Sequence, residues 1–397
     1  MSTSEDTLIL SNARLVLPGR IVEQGSIEIE KDRILSIRTD EESPRSASGR
    51  DLGGLTLFPG FIDAHIHGAA GVDTMDASPQ ELATVSYFLS TQGVTSWLPT
   101  LVPATDENYA SVIDAVGAQM KSQRRLFEQP DGARILGVHY EGPFVNTSQC
   151  GALHSEHFKT FSGPSDIDSL PSPEVPTALR MTTLAPEIEG GLDLVRELAR
   201  RGWIIAIGHT RAGTDVLDLA HEAGARHMTH FMNAMPSLHH RAPGPVGWAL
   251  SRNDVRFDII ADGIHLDPFV VRLLLKIKGA DRISLISDSI AAAGKGDGQY
   301  KIWGETITVN DRRTSNSRGS IAGSVITMLD AVKMMLFLDT PEIDVARMSA
   351  TGPARLLRID NVCGSLEVGK RADLVALDEH FNVRLTVVGG QIVFQSK

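Results

Sequence analysis

GFIDAHIH (Gly60–His67) is the first of eight apolar runs in the middle of the chain. The others are GVTSWLPT (Gly93–Thr100), RILGVHYE (Arg134–Glu141), RMTTLAP (Arg180–Pro186), GWIIAIGHT (Gly202–Thr210), ARHMTHF (Ala225–Phe231), VRFDIIAD (Val255–Asp262) and RISLISD (Arg282–Asp288). Runs this short and apolar fit strands buried on both faces. Helical patterns separate them. Ser78 before Pro79-Gln80-Glu81-Leu82 is a good N-cap with proline at the first helical position. GLDLVRELARRG ends at Gly202, a good stop. Eight strands alternating with helices over about 230 residues predict an α/β fold of the (β/α)8 type, a TIM-like barrel. A doubly wound sheet would need a glycine-rich turn leading from a strand into a helix. The glycine-rich run SDSIAAAGKGDGQY (Ser287–Tyr300) follows the eighth strand and has no helical pattern beside it. Gly294–Gly298 therefore reads as a mobile loop, not a phosphate cradle.

The two ends differ from the middle. LILSNARLVLP and GSIEIEKDRILSI alternate with period two, the polar run Thr39–Arg50 reads as a loop, and ADLVALD and LTVVGGQIVF close the chain with a turn at Gly389-Gly390. These segments predict one small β-sandwich domain built from residues 1–58 and 357–397, around a barrel of residues 59–356.

Composition narrows the function. The 397 residues carry 38 Lys plus Arg against 49 Asp plus Glu, a net charge of −11, with 42% hydrophobic residues. This is an ordinary globular composition, which excludes disorder, collagen and coiled coil. The acidic balance speaks against nucleic acid as a partner. It does not exclude an anionic small substrate, because whole-chain charge governs long-range steering and not the chemistry of a site. No run of 18 apolar residues is present to cross a membrane. MSTSEDTLIL lacks a basic segment followed by an apolar one, so no secretory signal is expected. Cys150 and Cys363 read as free thiols, and the expected compartment is the cytoplasm.

The chemistry gathers at the C-terminal ends of the predicted strands, the active face of such a barrel. His65 and His67 end the first strand, and their i, i+2 spacing puts both imidazoles on one face. Glu141 ends the third strand, His209 the fifth, His230 the sixth and Asp288 the eighth. A lone histidine is usually a hydrogen-bonded or surface residue, and His221, His239, His240 and His380 take that reading, while His227 lies on the sixth strand but not at its end. His139, two residues before Glu141, reads as a satisfied interior group. The six together are good ligands for a divalent metal such as Zn²⁺ or Fe²⁺. A metal makes bound water acidic near neutral pH, and Asp288 beside it can accept a proton and pass it to a leaving group. The simpler reading of Asp288 is a ligand or a helix cap.

PGFIDAHIHG (Pro59–Gly68), HYEGPF (His139–Phe144), GHT (Gly208–Thr210), THFMNAM (Thr229–Met235), ADGIHLD (Ala261–Asp267), AGSVITM (Ala322–Met328) and the closing GSLEVGKRADLVALD (Gly364–Asp378) resemble the N-acetylglucosamine-6-phosphate deacetylase family of the amidohydrolase superfamily. The likeness runs from about residue 7 to residue 395. The first motif is widespread in the superfamily, whereas HYEGPF, NAM and ADGIHLD are narrower. The resemblance implies that Glu141, His209 and His230 hold the principal ion. His65 and His67 would hold a second one with Glu141 as a bridge, so one or two ions are expected. It implies Asp288 as general acid/base and His154 as the group that polarises the acetyl carbonyl. Asn233, Ala234, Arg241 and His265 would hold the sugar phosphate, and Met328 would line the acetyl pocket. The arginine matching Arg241 reaches the neighbouring site in that family, so a homodimer is expected. Arginine is well shaped for a bidentate phosphate contact. Ser289 and the loop GKGDGQY depart from the family pattern, in a region that bears on substrate preference.

Other reactions make other demands. Cyclic amidases of the superfamily usually need a lysine at the end of the fourth strand, which here reads MTTLAPE (Met181–Glu187). Adenosine-type deaminases lack the third-strand glutamate. The remaining competitors are deacetylation of N-acetylgalactosamine 6-phosphate and a non-catalytic assembly protein that keeps the fold.

Overall fold

The computed structural model describes residues 7–39, 49–125 and 131–396. Eight parallel strands form its centre: Phe61–Ile66, Val94–Leu101, Gly137–Glu141, Leu179–Leu184, Ile204–Ile207, His227–Met228, Arg256–Ile260 and Ile283–Ile286. Every residue of the first two is buried. These strands are covered on both faces, so they are apolar runs without alternation. Their neighbours pair in parallel register, as in Glu141 with Thr183 and Ile260 with Ile286. The barrel closes at the mouth, where the Asp288 N–H donates to the His65 carbonyl at 3.0 Å and the His67 N–H to the Ser289 carbonyl at 2.8 Å. Closure therefore sets the first and eighth strand ends side by side.

The helices lie where the sequence places them. Pro79–Thr91 begins with a capping box: the Ser78 hydroxyl accepts from the Glu81 N–H, and the Ser78 N–H donates to the Glu81 carboxylate at 2.9 Å. Gly191–Arg200 stops before Gly202, whose φ of +77° suits glycine.

The sixth strand is shorter than ARHMTHF suggests. Only His227–Met228 pairs, because the His230 N–H turns to the buried Asp258 carboxylate on the seventh strand and takes the backbone out of the ladder. A second difference follows the eighth strand. The run Gly294–Gly298 is a turn and a bend only up to Asp297, and Gly298 opens an antiparallel sheet of Gly298–Ile302, Glu305–Asn310 and Arg313–Ser315. Ile302, Ile307 and Val309 pack this flap on Ile290 and Ala292.

The strands of the two ends join one eight-stranded sheet, in which Thr56–Pro59 of the first end pairs with Leu374–Leu377 of the second. The Ile34 N–H donates to the Lys370 carbonyl, so the far edge curls back on the closing segment. Leu10, Leu15, Ile27, Leu57, Leu374 and Leu385 form a core of their own inside it. Within the predicted loop Thr39–Arg50, residues 40–48 lie outside the described residues, Thr39 ends a strand and Arg50 begins a short one.

Candidate metal centre

Six side chains from five strand ends converge. His209 Nε2 and His230 Nε2 lie 2.8 and 2.9 Å from Glu141 Oε1. His67 Nε2 lies 3.3 Å from Glu141 Oε2, and His65 Nε2 lies 3.8 Å from Oε1. Asp288 Oδ1 is 3.2 Å from His65 Nε2 and 3.3 Å from His67 Nε2, and those two nitrogens are 3.2 Å apart. All six residues are buried. The chain bends sharply to present three of them: φ is +47° at His209, +32° at His230 and +51° at Asp288. Left-handed backbone at residues other than glycine costs roughly 1–3 kcal/mol each and is typical of functional sites.

The tautomers test whether a cation fits. His209 Nδ1 faces the Gln149 carbonyl at 2.8 Å and His67 Nδ1 faces the Thr100 carbonyl at 3.2 Å. A carbonyl only accepts, so Nδ1 carries the proton and a neutral ring turns the Nε2 lone pair inward. Carboxylate oxygens and imidazole lone pairs then face one another at 2.8–3.3 Å, an arrangement that needs positive charge between them. Protons supply it in the metal-free chain. Burial opposes protonation of His67, but hydrogen bonds and charges from Asp288 and Glu141 outweigh it and raise its pKa to about 10. Burial is likewise outweighed at His230, chiefly by Glu141, and its pKa rises to about 9. Burial alone would raise the carboxyls, yet the histidines hold Glu141 and Asp288 well below the usual range. A divalent ion supplies the same charge, and the donor set of nitrogen and carboxylate oxygen suits it.

The supporting contacts are polar, from the half-buried Glu187 to the fully buried Asp63 and His139. Glu187 accepts from the Thr210 hydroxyl, the Arg211 N–H and the Asn146 amide, which fixes the turn carrying His209. Asp63 accepts from the Ser287 hydroxyl at 2.6 Å and ties the first strand to the eighth. Burial raises its pKa to about 6 against those hydrogen bonds. His139 contacts the Ala64 carbonyl and the Thr183 hydroxyl, and burial keeps it neutral. His227 lies 2.7 Å from Asp258. His139 is thus a satisfied interior group, as read from sequence, whereas the buried Nδ1 of His227 has no partner among the described residues.

A cavity of about 310 Å³ opens over the cluster. Asn233, Ala234 and His265 line it with the ligand candidates, and His265 Nδ1 is held by Asp262 at 2.7 Å. Three other sequence candidates lie elsewhere. His154 lines a neighbouring cavity, with Nδ1 3.2 Å from Glu156 and Nε2 3.6 Å from Glu305. Arg241 is exposed on the loop after the sixth strand, and Met328 is fully buried at the start of its helix. A larger cavity of about 530 Å³ lies between the barrel and the terminal sheet, lined by Arg134, Cys363 and Arg371, and touches none of the ligand candidates. Trp303 was not singled out from sequence. It sits at the tip of the flap, edge-on to His67 with ring centroids 5.1 Å apart. Its signal was the period-two alternation of Gln299–Asn310 around Trp303-Gly304.

The sequence pattern of the amidohydrolase family matches residues 56–393. The N-acetylglucosamine-6-phosphate deacetylase of Bacillus subtilis (strain 168) is 35% identical over 99% of this chain and 98% of its own. The N-acetylgalactosamine-6-phosphate deacetylase of Escherichia coli O157:H7 is 36% identical over 94% of this chain and 97% of its own. Among solved structures, a mutant N-acetyl-D-glucosamine-6-phosphate deacetylase from Mycobacterium smegmatis, in complex with N-acetyl-D-glucosamine-6-phosphate, has a TM-score of 0.88. It is 30% identical over 98% of this chain and 99% of its own.

Proposed function

The chain belongs to the amidohydrolase family, and on that premise we propose that it hydrolyses the acetamide of N-acetyl-D-glucosamine 6-phosphate to acetate and D-glucosamine 6-phosphate. One observation carries this reading: the cavity lined by His67, His209, His230, Glu141 and Asp288 is also lined by Asn233, Ala234 and His265. A reaction centre and a seat for a polar, anionic substrate thus share one space.

Glu141, His209 and His230 would hold the principal ion, and His65 and His67 would hold a second one where two are bound. Zn²⁺ or Fe²⁺ suits these donors. A divalent ion held there supplies Lewis acidity and a water that ionises near neutral pH. Asp288 takes the proton of the attacking water and returns it to the departing amine nitrogen. Its Oδ1 lies within 3.3 Å of His65 Nε2 and His67 Nε2, which places it at the ligand cluster where that proton moves. His154 polarises the acetyl carbonyl; its Nε2 is buried and has no hydrogen-bond partner among the described residues. Met328 stands behind the acetyl pocket.

Asn233, the backbone at Ala234 and His265 hold the sugar phosphate. Arg241 lies on a projecting, exposed loop, which supports a homodimer in which it reaches the partner's phosphate. The domain division is residues 1–58 with 357–397 against 59–356, supported by the shared terminal sheet. Unpaired Cys150 and Cys363 fit a reducing cytoplasm.

The test is acetate release from the 6-phosphates of N-acetylglucosamine and N-acetylgalactosamine, and from the unphosphorylated sugars, with defined metals. Preference for the glucosamine phosphate is expected. Preference for the galactosamine phosphate would move the assignment to the activity of the E. coli relative. No turnover with any metal would leave an assembly protein.

A further inference from the structure

Resting on that reaction, we propose that Trp303 is a specificity-determining residue: its indole closes the acyl end of the substrate cavity and restricts the N-acyl group to acetyl. Three observations point to it. The first is its backbone. Trp303 and Gly304 form the two-residue loop between Ile302 and Glu305, with φ of +53° and +76°. Such loops favour asparagine or aspartate followed by glycine, and a bulky side chain at positive φ is a strained choice. The strain is retained where the side chain has work elsewhere.

The second observation is where the ring goes. It stands edge-on to His67 and lines two cavities, the one of about 310 Å³ over the ligand cluster and a neighbour of about 160 Å³. The indole is part of the partition between them. The third is its Nε1–H, which is buried and has no hydrogen-bond partner among the described residues. Buried donors are nearly always paired, so this one is open to a ligand or a water.

Topology decides which end of the substrate the ring meets. Asn233, Ala234 and His265 follow the sixth and seventh strands. The smaller cavity is lined by Met75, Val102, Pro103, Asn108 and His157, which follow the first three strands. In an eight-stranded barrel the second strand faces the sixth. A substrate with its phosphate over strands six and seven and its amide carbon at the ligand cluster therefore directs its acyl substituent toward Trp303. The cavity beyond, of about 160 Å³, is the space that a longer acyl chain would enter once the ring is removed.

The experiment compares kcat/KM for the N-acetyl, N-propionyl and N-butyryl forms of glucosamine 6-phosphate. It uses the metal-loaded wild-type protein, Trp303→Gly and Trp303→Phe. One methylene against an apolar wall is worth roughly 10–200-fold in discrimination. The propionyl-to-acetyl ratio is expected to rise at least about tenfold in Trp303→Gly and to stay near the wild-type value in Trp303→Phe, which keeps a wall. The ratio is internal to one sample, so partial loss of active protein cancels. Should Trp303→Gly not fold, Trp303→Asn suits the same turn and is read in the same way. An unchanged ratio in the glycine or asparagine variant overturns the proposal. So does loss of turnover on all three substrates with metal retained, because Trp303 would then serve the reaction and not acyl size. A wild-type protein that releases no acetate overturns the reaction itself, which is a different result.

Discussion

His209 Nε2 lies 2.8 Å from Glu141 Oε1 while its Nδ1 is fixed by the Gln149 carbonyl, so the ring presents a lone pair to a carboxylate that His230 also faces. Glu141 is thus the common anion of the cluster. Glu141→Gln keeps the shape and removes the charge. Bound metal should fall at least about tenfold at equal free ion, with the far-ultraviolet circular dichroism unchanged. Wild-type metal content in this variant would remove Glu141 from the ligand set.

The metal-free cluster holds protons that an ion must displace. With His67 at about 10 and His230 at about 9, both rings are charged at pH 7. Metal binding at pH 7 should therefore release roughly two protons, and apparent affinity should rise with pH until about 9–10. Titration calorimetry in buffers of different ionisation enthalpy measures this directly. The sign for stability is opposite. Raised histidine pKa values stabilise the metal-free fold fully below their unfolded value of about 6.5, and that contribution is lost as the pH rises through 9 and 10. The melting temperature of metal-free protein should fall over that range while the loaded protein changes less. A heat of binding independent of buffer would refute the protonated cluster.

Asp288 lies at the positive-φ bend between His65 and His67. Asp288→Asn keeps an oxygen toward the cluster but cannot carry a proton between water and amine. Turnover should drop at least about a hundredfold with a modest change in KM. Near-normal kcat in acetate release would mean that Asp288 is a ligand only.

The ligand candidates were legible in the sequence because each ends an apolar strand, where barrel topology sends side chains to one mouth. His-x-His needed only the two-residue period of a strand. The short sixth strand was not legible, because it depends on Asp258 drawing the His230 N–H from a neighbouring strand, a contact that no local pattern records. The flap was hidden by the glycines before it, although Ile302, Ile307 and Val309 alternate as a half-buried strand pair should. Arg241, His154 and Met328 came from resemblance alone. Within one chain their side chains line no part of the cavity over the cluster, so no geometry of the cluster points to them.

Arg241 is exposed, and among the described contacts its N–H meets His239. A cation that reads phosphate from a partner subunit should act on binding and not on the chemical step. Arg241→Ala should raise KM for the phosphorylated sugar at least about tenfold and leave the unphosphorylated sugar unchanged. Sedimentation of the same samples reports whether the dimer persists. Equal losses on both sugars would mean that Arg241 does not read phosphate.

Asp258 joins the interior of the barrel to the metal cluster. Its carboxylate meets His227 Nε2 at 2.7 Å and accepts the His230 N–H that defines the +32° bend. Asp258→Ala leaves both groups buried and unpaired, a loss of at least about 2 kcal/mol in stability. It also frees the His230 ring, whose Nδ1 has no partner of its own among the described residues to hold it. Metal affinity should then fall roughly 10–100-fold, as when a contact that orients a ligand is removed. Asp258→Asn, which can accept from one group and donate to the other, should recover part of both losses. Denaturant unfolding and metal titration on the same three proteins separate the effects. Wild-type metal affinity in Asp258→Ala would show that the strand-end bend, and not this carboxylate, holds His230 in place.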